Sequence, residues 1–154
     1  MADINYFSEE ITFKVPLPRK TAAWIRQSIK SEKKQLHELN FIFCSDDYLL
    51  KINRAYLNHD YYTDIITFPT NNSSATIAGD IFISIDRVTE NASAFNSSLD
   101  MELRRVMIHG VLHLLGFKDK SRQQQILMRK KEDAYLSLWK KRQVPRGTNK
   151  QAKT

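Results

Sequence analysis

Hydrophobic and polar positions alternate along this chain in two rhythms. Short runs dense in β-branched and aromatic residues predict strands. They are "ITFKV" at 11–15, ended by Pro16 and Pro18, "ELNFIFCS" at 38–45, "YYTDIITFPT" at 61–70, and "TIAGDIFISI" at 76–85. Gly79 inside the last run predicts a bulge or a close backbone approach. The polar run Asn71–Ser74 reads as a loop. Between these runs, apolar residues recur every three or four positions and predict five helices. The first, over 21–35, carries Trp24, Ile25 and Ile29 on one face, with Thr21 as its cap. The second, over 46–57, is capped by Ser45 and repeats Leu49, Ile52 and Tyr56. The third covers 86–95. The fourth covers 98–116, with Ser98 as N-cap and Asp100 and Glu102 set against the macrodipole. The fifth covers 121–142, with Ile126, Leu127, Tyr135 and Leu138 among its apolar positions. The expected fold is mixed α/β, a four-stranded mixed sheet with about five helices. No internal repeat or linker divides it, so residues 1–143 are expected to form one domain and 144–154 a basic, disordered tail.

The fourth helix changes character along its length. From Val106 to Leu115 it is apolar nearly all round, the mark of a buried helix. Two histidines on such a helix require an explanation. His109 and His113 stand at i and i+4, on one face. Both imidazoles can reach one ion, with Zn–N bonds of about 2.0–2.1 Å. The chain must then turn back to bring a third ligand. Gly116 suits a left-handed C-terminal cap, and Asp119 follows on the returning segment. The pattern H-x3-H-x5-D leaves a fourth position for water, as in catalytic zinc sites, where water is activated near neutral pH. The plainer alternative is a pair of hydrogen-bonded core histidines.

Composition narrows the partners. The chain has 154 residues, 24 Lys+Arg against 17 Asp+Glu, and a net charge of +7. Beyond Asp133 there is no acidic residue, and Lys140, Lys141, Arg142, Arg146, Lys150 and Lys153 supply six positive charges. Such an end attracts polyanions such as RNA through counterion release. It serves equally as a solubilising tail. One cysteine, Cys44, permits no intrachain disulfide. The first residues lack the basic and apolar regions of a signal peptide, and no run approaches the roughly 20 apolar residues of a membrane span. These features fit a cytoplasmic protein with no membrane partner.

Four blocks together resemble a known family. "HGVLHLLGFKDK" resembles the H-G-x-L-H-L-x-G-Y-D-H signature of the YbeY endoribonucleases, the rRNA maturation factors. "YYTDIITFP" resembles the family's P-T-D-V-L-S-F-P block, "AGDIFIS" its G-D-I-x-I-S strand, and "INRAYLNHD" the segment before the T-D block. Their order and spacing agree from Ile52 to Asp119. The resemblance implies a zincin-like metal-binding helix at the core. It also implies a single-strand-specific, zinc-dependent endoribonuclease of the cytoplasm, acting in 16S rRNA 3′-end maturation and ribosome quality control. The partners it implies are single-stranded RNA, rRNA and the ribosome or ribosomal proteins.

Two departures stand out. The family's third ligand is a histidine; here Phe117-Lys118-Asp119 takes the place of Y-D-H, so the register holds and the ligand type changes. An anionic ligand weakens the ion as a Lewis acid and makes Mn2+ or Mg2+ more competitive with Zn2+. Lys118 and Lys120 either offset that charge or are exposed turn lysines. The family also has an active-site arginine where this chain has Leu57. Arg54 and His59 are the nearby candidates to contact RNA in its stead, unless they are ordinary helix-surface and loop residues. Asp64 and Asp80 can act as acid–base or supporting carboxylates, or simply hydrogen-bond backbone. Tyr56, Tyr61 and Tyr62 suit stacking on RNA or packing. Two other readings compete. A zincin-like metallopeptidase lacks its H-E-x-x-H base, because Gly110 stands there. A non-enzymatic assembly factor would use the ion only to pin the Gly116 turn. If RNA is cut, the strand is expected to lie between the fourth helix and the "TDIITF" strand.

Overall fold

The computed structural model describes residues 3–144. The elements are β1 (Asp3–Glu9), α1 (Pro18–Ser31), β2 (Gln35–Cys44), α2 (Asp46–Leu57), β3 (Ile65–Pro69), β4 (Thr76–Ser84), α3 (Ile85–Ala94), α4 (Leu99–Leu114) and α5 (Arg122–Gln143). Of the expected tail only Val144 is among the described residues; Arg146, Lys150 and Lys153 lie outside them. The four strands form one sheet in the order β1-β2-β4-β3. β1–β2 and β2–β4 are parallel, and β3 runs antiparallel to β4. The mixed sheet and five helices match the expected class.

Two boundaries differ. The first strand is Asp3–Glu9, and residues 11–15 are irregular. β1 is an edge strand paired only with β2, so two inward residues, Ile4 and Tyr6, anchor it to the core. Phe13 and Val15 reach that core from a loop and need no ladder. Thr21 does not cap α1. The helix starts at Pro18, whose fixed φ and missing N–H suit a first helical position. Leu17 sits at the N-cap with φ 51°, and the buried Thr21 hydroxyl donates to the Pro16 carbonyl at 3.2 Å. Ser45 and Ser98 cap α2 and α4 as expected, accepting from Tyr48 and Met101 N–H.

Strand alternation divides the sheet. Leu39, Phe41, Phe43, Ile77, Ile81 and Ile83 join the large core with α1, α4 and α5. Cys44, Ile66, Phe68 and Phe82 pack with Tyr48, Leu49 and Ile52 of α2. Leu103, Val106, Met107, Ile108, Val111 and Leu112 of α4 are buried, which accounts for its apolar circumference. Two glycines let this helix lie close. A Cβ on Gly110 would stand 2.8 Å from Ile65 Cδ1 and 2.9 Å from Ile81 Cγ2. A Cβ on Gly79 would stand 2.8 Å from Leu114 Cδ1 and 2.9 Å from the Phe68 carbonyl. Gly79 marks close approach, and the register shift lies instead in β2, between Leu36 and Glu38.

α5 covers α4 from outside and meets α1. Trp24 Nε1 donates to the Tyr135 carbonyl at 2.7 Å, and the Trp24 and Trp139 rings meet edge-on. Ile126 and Leu127 are exposed, contrary to expectation. The stripe that α5 buries is Met128, Glu132, Tyr135, Leu136 and Trp139. Its i, i+4, i+7 spacing turns residues one and two places ahead of Met128 towards solvent.

Candidate metal centre

The C-terminal end of α4 builds the centre. Gly116 has φ +104°, its N–H donates to the His113 carbonyl, and Phe117 N–H donates to the Leu112 carbonyl, both at 3.0 Å. This is a Schellman cap. It reverses the chain and brings Asp119 back beside the histidines. His113 Nε2 lies 3.0 Å from His109 Nε2 and 3.2 Å from Asp119 Oδ2, and His109 Nε2 lies 3.3 Å from the same oxygen. Bonds of about 2.0–2.1 Å at tetrahedral angles place ligand atoms roughly 3.4 Å apart. The triangle therefore fits one metal ion, and these three residues can hold it.

Neighbouring charges orient the triangle. His109 Nδ1 donates to Glu132 Oε2 at 2.6 Å, leaving Nε2 for the ion, the usual arrangement of a ligating histidine. Arg105 holds Glu132 Oε1 at 2.8 Å and Asp133 Oδ1 at 2.8 Å. Burial opposes the Glu132 carboxylate, but the bonds from His109 and Arg105 prevail and hold its pKa below the usual range. Burial likewise opposes the His109 imidazolium, and Glu132, Asp119 and Asp64 outweigh it, so its pKa is raised.

A cavity of about 570 Å3 opens beside His109, between α4, β3, α3 and α5. Asp64, Asn91, Phe95, Glu102, Arg129 and Glu132 are among its walls. Asp64 and Ile65 of the "TDIITF" segment line it. Burial raises the Asp64 pKa, partly offset by His109. A backbone hydrogen bond also favours its carboxylate, and Asn91 Nδ2 makes a long contact to it at 3.5 Å.

The other expected residues are scattered. Asp80 lies on the far face of the sheet, where Asn40 Nδ2 donates to it at 2.9 Å and Asn5 donates to Asn40 at 3.0 Å. It packs away from Gly79 and Ile81, which face α4. It belongs to a polar ladder and not to the centre. Arg54, at the end of α2, pairs with Asp60, and His59 stacks on Tyr61, whose hydroxyl lies 2.9 Å from His59 Nδ1. No hydrogen bond, ion pair or ring contact joins Arg54 or His59 to the triad among the described residues. Tyr56, Tyr61 and Tyr62 are exposed; Tyr56 touches Phe68 edge-on, and Tyr62 lies under Arg87. Lys118 and Lys120 are exposed on either side of Asp119. Glu132 and Glu102 escaped the reading of the sequence. The signal for Glu132 was a charged residue on the apolar stripe of α5. Glu102 was read only as a partner of the helix dipole.

No helix among the described residues is long and apolar enough to cross a membrane. A family model described as "Endoribonuclease YbeY" matches residues 4–140. The Endoribonuclease YbeY of Cytophaga hutchinsonii is 50% identical over 137 residues, covering 89% of this chain and 96% of its own. That of Christiangramia forsetii is also 50% identical over 137 residues, covering 89% and 94%. The solution structure of TM1509 from Thermotoga maritima is similar with a TM-score of 0.65 at 27% identity, over 92% of this chain and 94% of that one. The match runs from β1 into α5 and spans the whole triad and cavity: the chain belongs to the YbeY endoribonuclease family.

Proposed function

We propose that this protein is a zinc-dependent endoribonuclease that cuts single-stranded RNA, with His109, His113 and Asp119 as the metal ligands. The observation that carries the reading is the triangle of Nε2, Nε2 and Oδ2 atoms, with Glu132 fixing the outer nitrogen of His109. When bound, the ion supplies Lewis-acid stabilisation of a phosphoryl oxygen and acidifies water. Asp64 lines the same cavity as His109, and burial makes its carboxylate the more basic. It takes the proton from the attacking hydroxyl, whether water or the RNA 2′-OH. Arg129, exposed at the cavity, and Lys118 and Lys120 attract the phosphates. Arg54 and His59 contact the RNA backbone farther along.

Family membership supports the finer placement: 16S rRNA 3′-end maturation and ribosome quality control in the cytoplasm, with rRNA and ribosomal proteins as partners. The Asp119 carboxylate leaves Mn2+ and Mg2+ as competitors for the site. A peptidase reading is disfavoured by Gly110. It faces Ile65 and Ile81 at a separation that admits no Cβ, so the general-base glutamate of zinc peptidases has no place there.

The test is metal content by mass spectrometry together with cleavage of single-stranded RNA, for wild type and Asp119→Ala. One equivalent of zinc per chain, lost in the variant along with cleavage, is the expected result. Metal without cleavage would favour the assembly-factor reading. Wild type that takes up no ion even when zinc is supplied would refute the metal centre.

A further inference from the structure

Glu102 is the least explained residue near the centre. It is 7% exposed, on α4 two turns before His109, and it lines the 570 Å3 cavity. No hydrogen bond or ion pair fixes its carboxylate among the described residues, although the charges of Arg105 and Arg129 act on it from a distance. Arg105, the nearest source of neutralisation, is committed to Glu132 and Asp133. Its oxygens are not sealed in the core but open into the cavity, so a ligand that enters there can meet them with donors. A second ion is not that ligand. Among the described residues only His109, His113 and Asp119 form a set close enough to share an ion.

The surroundings suit a flat heterocycle with adjacent N–H donors. The cavity volume falls within the roughly 300–1,000 Å3 of small-ligand sites. Phe95, 69% exposed, stands on its wall and offers a stacking face. Asn91 lines the same wall with an amide. Arg129 lies on the side of α5, with its guanidinium half in solvent. Seven residues of helix separate Glu102 from His109, or roughly 10 Å. A base that meets Glu102 therefore lies along the helix from the candidate metal ligands, not on them.

We propose that this cavity is a guanine-binding subsite, in which the Glu102 carboxylate accepts the N1–H and N2–H2 donors of a base next to the scissile phosphate. The proposal rests on the RNA-cleaving reading above. Guanine sets two donors side by side, which a carboxylate meets with both oxygens. Adenine and cytosine offer one amine beside a ring-nitrogen acceptor. Uracil offers one N–H between two carbonyls. Both of those patterns place an acceptor against Glu102. Phe95 stacks on any base and contributes affinity without discrimination.

The experiment uses the full-length, metal-loaded protein and single-stranded RNA oligomers that differ at one position beside a cleavage site: guanosine, inosine, adenosine or uridine. Cleavage rates and binding by fluorescence anisotropy are read together. Inosine lacks only the N2 amine, so its kcat/KM should fall about tenfold below that of guanosine, as for a lost hydrogen bond to a charged group. In Glu102→Gln, confirmed as folded by thermal melting, guanosine and inosine should be cut at similar rates. In Phe95→Ala all four oligomers should bind more weakly by a similar factor. Equal rates on all four by wild type would overturn the subsite and leave the nuclease reading standing. Discrimination that survives in Glu102→Gln would overturn the role of Glu102. Failure to cut any RNA would remove both. If Glu102→Gln does not fold, the guanosine–inosine comparison on wild type decides alone.

Discussion

At the scale of single residues, Gly116 does the most with the least. Its φ of +104° lies in the region that side-chain-bearing residues avoid, yet nothing lies within 4 Å of where its Cβ would be. Gly116→Ala therefore tests backbone strain free of any clash. A cost of about 1–2 kcal/mol is expected, measured by urea denaturation. Zinc affinity should fall with it, because the same turn delivers Asp119. An unchanged affinity would show that Asp119 reaches the ion without this cap. The residues of the triad were legible because their spacing is local: one helical turn, a cap, and a short return. Asp64 and Asp80 were not distinguishable on the same basis. Ile77, Ile81 and Ile83 reveal that Asp80 faces away from them, but the sequence does not say which face α4 covers. That choice is made by Gly79 and Gly110, which allow helix and sheet to touch on one side only.

At the scale of elements, α5 is a supporting wall with one polar function. Its N-terminus is set by a capping box, Ser121 with Gln124, and its position by the Trp24–Trp139 contact. Glu132 projects from that wall to His109. Glu132→Gln keeps the size of the side chain but weakens the acceptor. Metal affinity is expected to drop about 10–100-fold, the usual effect of losing a partner of a ligating histidine. Competition with a chromogenic chelator would measure it, and an unaltered affinity would reduce Glu132 to a partner of Arg105. The rhythm of α5 was readable but its phase was not. Ile126 and Leu127 are apolar, and only the tertiary contact with α4 decides that Met128 and Glu132 turn inward instead. The edge strand failed for a related reason. "ITFKV" has the better strand composition, but "DINYFSE" has a neighbour to pair with, and pairing prevails over propensity.

At the scale of the whole molecule, the two sides of the sheet share one liability at high pH. Burial pushes the Cys44 thiol up to about 12, assisted by the charges of Asp46 and Asp86. Burial does the same to the Tyr6 hydroxyl, also to about 12, and to that of Tyr135, which in addition donates to Glu32. The unfolded chain releases these protons from about pH 8.5 to 10, while the folded chain retains them. Protons are then bound more by the native state, so stability falls as pH rises through that window towards 12 and is unaffected by these groups below it. Urea midpoints followed from about pH 8 to 11 should decline, and a flat profile would contradict the burial of these groups. The path of the chain through the centre has a further bearing, on synthesis. Asp64 precedes the histidines, Asp119 follows them, and Glu132 comes only with α5, which must also find Trp24 near the beginning. A nascent chain that has not yet released α5 has both histidines but lacks Glu132 to orient His109, and the outer side of α4 is uncovered. The candidate metal centre is therefore completed last, only once α5 has been made.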